Sequence, residues 1–448
     1  IKIFFGNILI FVCKNIYNIY ANIPRKDLIK LEEINSILNE ANRCLNCKTP
    51  MCKKGCPIET CIPEFISKIK ENKFMEAYFI LQENNPMSEI CSTICPVEEQ
   101  CVGHCIRGLK GSPVKINSLE KFVNIWAREN NVSYEVKKAK NINKRVAIIG
   151  AGPAGIACAI DLAKNGASVT IFEKESSLGG ILEYGIPDFR LQKSILSKIA
   201  NVMKGLGITI KTNITFGKDI TLENLKEQGY SSVFLAMGAQ KQTSYKLAEE
   251  NVKNVFNSDE FLKDYNLNHK KRKLGKVVVI GGGNVAIDSA RSAIRMGADE
   301  VSIVYRRNRE LMPAREIEVQ EALEDGVKII YQTRVLSANV LNNKLKSLNC
   351  IKTEILNSKA VDIENSEHKI DADTVVFAIG AKPDDKLITA LNIKMENELI
   401  AVDENYMTNI DNIYAGGDLV ETKSSVCRAI ATGKKVAKAI INRKESDK

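Results

Sequence analysis

Histidine is scarce in this chain: His104, His269 and His368 are the three in 448 residues. None stands in a triad-like context, so a hydrolase built on imidazole gains no support. Aromatic residues make up only 6%. No basic run carries stacking rings, and the lysines and arginines are interleaved with acids. The formal charge of +10 is therefore a weak argument for nucleic acid, and no such partner is expected. No apolar run reaches the roughly 20 residues that a spanning helix needs. The opening stretch, IKIFFGNILIFVCKNIYNIY, falls short of that and has no small-residue cleavage site. Residues 1–20 are left as an unexplained apolar segment. A soluble cytoplasmic protein with no membrane partner is the expectation.

Cysteine is what the chain has in plenty, 13 in all. Secreted disulfide frameworks are short and poor in core. This chain has long apolar periodic stretches after residue 144, which build cores without staples. The thiols therefore read as a metal site in a reducing compartment. RCLNCKTPMCKKGCP places Cys44, Cys47, Cys52 and Cys56 in a C-x2-C-x4-C-x3-C-P run, close to the ferredoxin type. ICSTICPVEEQCVGHC adds Cys91, Cys95, Cys101 and Cys105. Soft thiolates suit iron–sulfur clusters or zinc, and the second spacing is unusual for zinc. Iron–sulfur leads, with a zinc-containing nucleotide-binding scaffold and free thiols as alternatives. His104, between two cysteines, reads as a local polar contact. Cys158, Cys350 and Cys427 are isolated, which argues against disulfide reduction.

The segments up to about residue 140 repeat apolar residues at three- and four-residue steps and read as helical. KAKNINK, 138–144, is a polar connector. Beyond it, RVAIIGAGPAGIACAIDLAKNGASVTIFEK reads as strand, glycine turn, helix, strand. Gly150, Gly152 and Gly155 form G-x-G-x-x-G, for a tight turn, close approach of a pyrophosphate, and helix–strand packing. Pro153 and Ala154 open the helix whose N-terminus faces the phosphates. Glu173, followed by Lys174, closes the second strand and suits an adenosine ribose. KVVVIGGGNVAIDSARSAIRMGADEVSIVYRR repeats the plan. There Gly281, Gly283, Asn284, Val285 and Ala286 form a G-x-G-x-x-A version. Its second strand ends in Arg306 and Arg307, which fit a ribose 2′-phosphate and favour NADPH over NADH. Plain surface charge is the other reading of this pair.

Two such modules suggest two nucleotides. NIYAGGDLV resembles the carboxy-terminal flavin motif of two-dinucleotide-binding flavoproteins. By that resemblance Gly417 and Asp418 meet the ribityl chain of FAD. Hydride transfer between two cofactors needs stacked rings and excluded water rather than a catalytic acid–base pair. A flavin also links a two-electron hydride donor to one-electron iron clusters.

The order of cysteine knots, first module and second module resembles the small-subunit family of NADPH-dependent glutamate synthase. Similar modules occur in dihydropyrimidine dehydrogenase and in the large subunit of NADH-dependent ferredoxin:NADP oxidoreductase. The carrying stretches are RCLNCKTPMCKKGCPI, ICPVEEQCVGHCIRG, GSPVKINSLEKFV, IGAGPAGIACA, LGGILEYGIPDFRL, GGGNVAIDSAR, YRRNRELMPAR and YAGGD. The resemblance implies two [4Fe–4S] clusters. Cys44, Cys47, Cys52 and Cys105 would hold one. Cys56, Cys95, Cys101 and Glu120 would hold the other, leaving Cys61 and Cys91 spare. Gly180, Leu182 and Arg190 would be flavin contacts.

The implied fold is α/β: a helical iron–sulfur domain (21–142), an FAD domain in two parts (143–243 and 386–448) and an NADPH domain (244–385), both Rossmann-like. The implied activity is NADPH oxidation with onward electron transfer. Glutamate synthesis from glutamine and 2-oxoglutarate would need a large subunit, since no glutaminase domain or FMN barrel fits in this sequence. Another electron-accepting subunit, or ferredoxin in a bifurcating assembly, is the alternative partner. An oligomer is expected.

Overall fold

The computed structural model describes residues 25–247, 252–423 and 425–443, with side chains from residue 32. The apolar segment 1–20 lies outside the described residues. The chain divides into two compact units, one running to Ser92 with Val97–Tyr134, the other comprising Thr93–Pro96 and Glu135 onward.

The smaller unit is helical, as its periodicity predicts. Helix Ile62–Lys70 buries Ile62, Phe65, Ile66 and Ile69 along one stripe. Helix Ile116–Glu129 buries Ile116, Leu119, Glu120, Val123 and Ala127 in the same three-and-four rhythm. An acid thus occupies a core position. Phe74, on helix Phe74–Asn84, meets Phe122 and Trp126 edge-on at 5.2 and 5.5 Å. Gln82 donates to Asn124 (3.3 Å), which donates to Ser88 (2.7 Å), so these buried amides are satisfied.

The larger unit holds two five-stranded parallel sheets with one shared plan. In the first, strands run in the order Ile413–Ala415, Ser232–Leu235, Arg145–Ile149, Ser168–Phe172 and Thr209–Lys211. In the second the order is Val255–Asn257, Thr374–Phe377, Lys276–Ile280, Glu300–Val304 and Lys328–Ile330. Their central strands read VAII and VVVI because parallel sheets are covered on both faces. The edge seat is filled by the latest strand of the first sheet and by the earliest strand of the second.

A four-stranded antiparallel sheet, not foreseen in the sequence, interrupts the second module between Lys328–Ile330 and Thr374–Phe377. Its long hairpin pairs Leu341 with Lys344 across Asn342 and Asn343. Both asparagines have positive φ, 52° and 57°, as the favoured two-residue hairpin turn requires. At the end of the chain, helix Val426–Asn442 packs on helix Pro153–Lys164. A methyl group at Gly433 would lie 2.2 Å from the Ala154 carbonyl oxygen, so the two backbones nearly touch. That contact seats Gly417 beside the first glycine loop, with a methyl there 3.3 Å from the Ala154 Cβ.

Candidate nucleotide cleft and thiol sites

The first glycine loop is shaped as its spacing demands. Gly150 has φ +104°, and a methyl there would meet the Ala236 carbonyl oxygen at 2.6 Å. Gly152 faces open space, where an added Cβ would intrude on a bound pyrophosphate. Gly155 does not face the cleft. It lets helix and strand close up, since a Cβ would lie 2.0 Å from the Gly150 carbonyl oxygen. Pro153 takes the first turn of the helix, where its missing N–H costs nothing. Glu173 is buried and accepts the Ala151 N–H at 2.7 Å and the Glu175 N–H at 2.9 Å. Its carboxylate therefore holds the loop as well as facing the cleft. Lys174 donates to Gln240 at 3.0 Å.

The second loop repeats this geometry. A methyl at Gly281 would lie 2.2 Å from the Ala378 carbonyl oxygen, and Gly283 faces open space. Ala286 takes the third glycine's place and is wholly buried. Asn284 accepts the Arg315 N–H at 3.1 Å, and Val285 is exposed. Arg306 and Arg307 are pinned through their carbonyls, by Thr353 at 2.7 Å and by the Gln332 N–H at 3.1 Å. Neither guanidinium makes an ion pair among the described residues, and the Arg307 Nε is buried without a partner.

Both loops open on one cleft of about 1700 Å³. A pocket for one small ligand spans roughly 300–1,000 Å³, so two nucleotides fit better than one. Its walls include Gly150, Gly152, Pro153, Ala154, Glu173, Lys174, Gly180, Gly417 and Asp418 from the first module. From the second come Gly281, Gly283, Asn284, Val285, Arg306 and Arg307.

Two expected flavin contacts stand differently. Leu182 is wholly buried and off the cleft wall, where its neighbour Ile181 stands instead. A side-chain contact with the flavin is not what this geometry provides. The Leu182 carbonyl accepts Lys193 Nζ at 2.7 Å, and the same ammonium reaches the Ile186 carbonyl at 2.5 Å. Burial pushes the Lys193 amine down to about 8. Arg190 reaches the wall, but its guanidinium is committed to carboxylates of the second module: Asp288 at 2.6 Å and Glu318 at 2.5 Å. It ties the strip after Gly180 to the second module's helices. Burial raises both acids, with the Arg190 charge opposing.

In the helical unit, Cys44, Cys47, Cys52 and Cys105 line one small cavity, and all four are half-buried. Burial pushes the Cys52 thiol up to about 11, and the charges of Cys105, Cys44 and Cys47 add to it. Four thiolates so placed need a cationic centre to stay deprotonated together. Cys56 and Cys101 are buried, and Cys101 is raised by burial first, then by Glu120 and Cys56. Glu120 is raised well above the usual range by burial, then by Cys91 and Cys56, with a Ser88 hydrogen bond opposing. A buried acid among thiols fits a metal ligand better than a solvated helix face. Cys95 is buried on Thr93–Pro96, which belongs with the larger unit.

Among the described residues no three His, Cys, Asp or Glu side chains draw into a single-ion site. His104 Nδ1 meets the Gln100 carbonyl at 2.7 Å, a local contact. The sequence reading left Cys91 spare, although it sits near Glu120 and accepts from Asn85 at 3.3 Å. It also missed the carboxylate partners of Arg190. Glu120 itself was named through the family resemblance and not through a local pattern.

Residues 144–433 match the pyridine nucleotide-disulphide oxidoreductase family, and residues 25–132 match dihydropyrimidine dehydrogenase domain II, 4Fe-4S cluster. The chain is 32% identical to the glutamate synthase [NADPH] small chain of Escherichia coli K12, covering 90% of each. It is 32% identical to the Azospirillum brasilense small chain, covering 90% of this chain and 88% of that one. It is also 32% identical to the NADPH-Fe(3+) oxidoreductase subunit beta of Geobacter sulfurreducens, covering 94% of this chain and 68% of that one. Thioredoxin reductase of T. acidophilum shares the fold at TM-score 0.52 and 21% identity, over 67% of this chain and 98% of that chain. FprA from Mycobacterium tuberculosis does so at TM-score 0.56 and 17% identity, over 66% of this chain and 84% of that chain.

Proposed function

Starting from a chain that belongs to the pyridine nucleotide-disulphide oxidoreductase family and to the glutamate synthase small-chain family, we propose a residue-by-residue division of labour. The protein is an NADPH-dependent oxidoreductase with FAD and [4Fe–4S] centres. The FAD, when bound, accepts a hydride and releases single electrons. The loop at Gly150, Gly152 and Gly155, with Pro153, Ala154, Glu173, Lys174, Gly180, Gly417 and Asp418, holds it in a domain formed by residues 143–243 and 386–448. Gly281, Gly283, Asn284, Val285 and Ala286 hold NADPH in the domain 244–385. Arg306 and Arg307 take its 2′-phosphate, and this makes the enzyme select NADPH over NADH. Arg190 acts through Asp288 and Glu318, keeping the second module against the flavin strip.

The helical domain, 21–142, holds two clusters. Cys44, Cys47, Cys52 and Cys105 bind one; Cys56, Cys95, Cys101 and Glu120 bind the other. The electron acceptor is a large subunit, which would supply the chemistry for making glutamate from glutamine and 2-oxoglutarate. A ferredoxin-coupled assembly is the second reading; the likeness to an NADPH-Fe(3+) oxidoreductase subunit favours only an acceptor other than a glutamate synthase large subunit. No helix among the described residues is long and apolar enough to cross a membrane, and a cytoplasmic site of action is proposed.

The single observation that carries the reading is that both glycine loops open on one cleft too large for one nucleotide. Anaerobically purified protein should carry FAD together with iron and sulfide for two [4Fe–4S] clusters. Zinc in place of iron, with no flavin bands, would overturn the reading. Glu120→Ala should lose the iron of one cluster and keep that of the other.

A further inference from the structure

The cavity formed by Cys44, Cys47, Cys52 and Cys105 is fringed by large apolar side chains that face water. Leu45, Met51 and Ile106 are all on its lining and all exposed. Leu109 is 81% exposed. It shares the 3₁₀ turn Ile106–Lys110 with Ile106, and residues three apart eclipse in such a turn. Ile106 and Leu109 therefore extend one apolar face outward from the thiols. Grouped exposed apolar residues of this size mark interaction surfaces.

Two of the stretches that line this cavity carry charge of one sign. The stretches 43–56 and 105–115 contain seven cations, Arg43, Lys48, Lys53, Lys54, Arg107, Lys110 and Lys115, and no acid. Lys48, Lys54, Arg107 and Lys110 are exposed and make no ion pair among the described residues. Glu40, an acid that does reach this region, is spent on Arg43 (2.7 Å) and on the Lys115 N–H (2.8 Å). An apolar centre with a cationic rim matches an acidic partner, and the rim would repel a second copy of itself.

We propose that this face docks the acidic surface of an electron-accepting protein, with Leu45, Met51, Ile106 and Leu109 at the centre and Lys48, Lys54, Arg107 and Lys110 as the steering rim. The inference rests on the proposed function, because it takes the four thiols beneath the face to hold a cluster. The outer thiol group is half-buried, whereas Cys56 and Cys101 are buried, so electrons leave through the group that lies nearer solvent.

The probe is a plant-type [2Fe–2S] ferredoxin, an acidic one-electron acceptor, reduced by the holoenzyme and NADPH. The ferredoxin concentration for half-maximal rate should rise steeply with salt. Lys48→Glu/Lys54→Glu/Lys110→Glu should raise it at least tenfold at low ionic strength and abolish its salt dependence. Leu109→Ser should raise it several-fold with the salt dependence intact. NADPH–ferricyanide turnover and iron content should stay unchanged in both. If the triple variant lost iron, Leu109→Ser and the wild-type salt series would still decide the matter.

Ferredoxin kinetics within twofold of wild type in both variants, or no salt dependence in the wild type, would overturn the proposal. So would a dimer that Leu109→Ser splits without touching ferredoxin kinetics, since the face would then join two copies. Failure of NADPH–ferricyanide turnover in the wild type would instead point to the proposed function itself.

Discussion

The two nucleotide modules are built to one plan and diverge where their ligands differ. Each sheet places its glycine-loop strand at the centre. In each, the first glycine is forced by the same neighbour, an alanine carbonyl just past the adjacent strand: Ala236 for Gly150 and Ala378 for Gly281. Each second glycine faces open space. The divergence comes at the end of the next strand, Glu173 in one and Arg306 with Arg307 in the other. An acid accepts ribose hydroxyls, while two guanidiniums attract a phosphate. The modules also differ in what closes them. The first receives Gly417, Asp418 and a helix from the far end of the chain, and the second an antiparallel sheet. On the proposed assignment, backbone shape makes a dinucleotide site and a few side chains choose the dinucleotide.

The largest effects should come from breaking the shared feature one module at a time. Gly150→Val forces a branched side chain to φ +104° and against the Ala236 carbonyl. It should yield protein without flavin. Gly281→Val should keep the flavin spectrum and lose its reduction by NADPH. Loss of flavin from both variants would mean that the modules do not act separately.

Next in size is the tie between the modules. Arg190→Met leaves buried Asp288 without its ion-pair partner and Glu318 with Arg315 alone, at 3.3 Å. Breaking a buried ion pair from one side costs about 3–5 kcal/mol, which urea unfolding would register. Adding Asp288→Asn and Glu318→Gln should recover part of the loss. Unchanged unfolding of Arg190→Met would show that the tie does not bear on stability.

A smaller effect sharpens the divergence at the strand ends. Losing a charge-assisted hydrogen bond costs about 1.5–3 kcal/mol, or roughly ten- to a hundredfold. Arg306→Ala and Arg307→Ala should each raise the KM for NADPH within that range and leave the KM for NADH nearly unchanged. Arg306→Glu, which imitates the acid of the first module, should improve NADH use.

The smallest effect concerns Lys193, which anchors the flavin strip. Its folded pKa of about 8 lies below the ordinary 10.5. The unfolded chain then binds more protons between those values, so this group makes stability rise with pH across that window and withdraws the gain as pH falls through 8. Lys193→Met should flatten the rise in a comparison of urea midpoints at pH 8 and pH 10.

Both glycine loops and their strands were legible in the sequence, because local backbone demands dictate residue type there, whereas the closing Gly417–Asp418 turn was recognised by its resemblance to a flavin motif. So was the helical front end, through its periodicity. The antiparallel sheet was not, since strands such as Thr333–Leu341 mix buried and exposed residues without clean alternation. The partners of Arg190 were hidden because Asp288 and Glu318 lie 98 and 128 residues away. Leu182 was misplaced because a turn at Gly180, φ +55°, decides which neighbour faces the cleft. No local pattern announces that choice.

The central claim is that one cleft brings NADPH and FAD together, and anaerobic mixing of flavin-loaded protein with NADPH tests it most directly. The account predicts that the flavin band bleaches within the mixing experiment, and that reduced-cluster EPR signals follow. A flavin band that stays unbleached while NADPH is bound would contradict it.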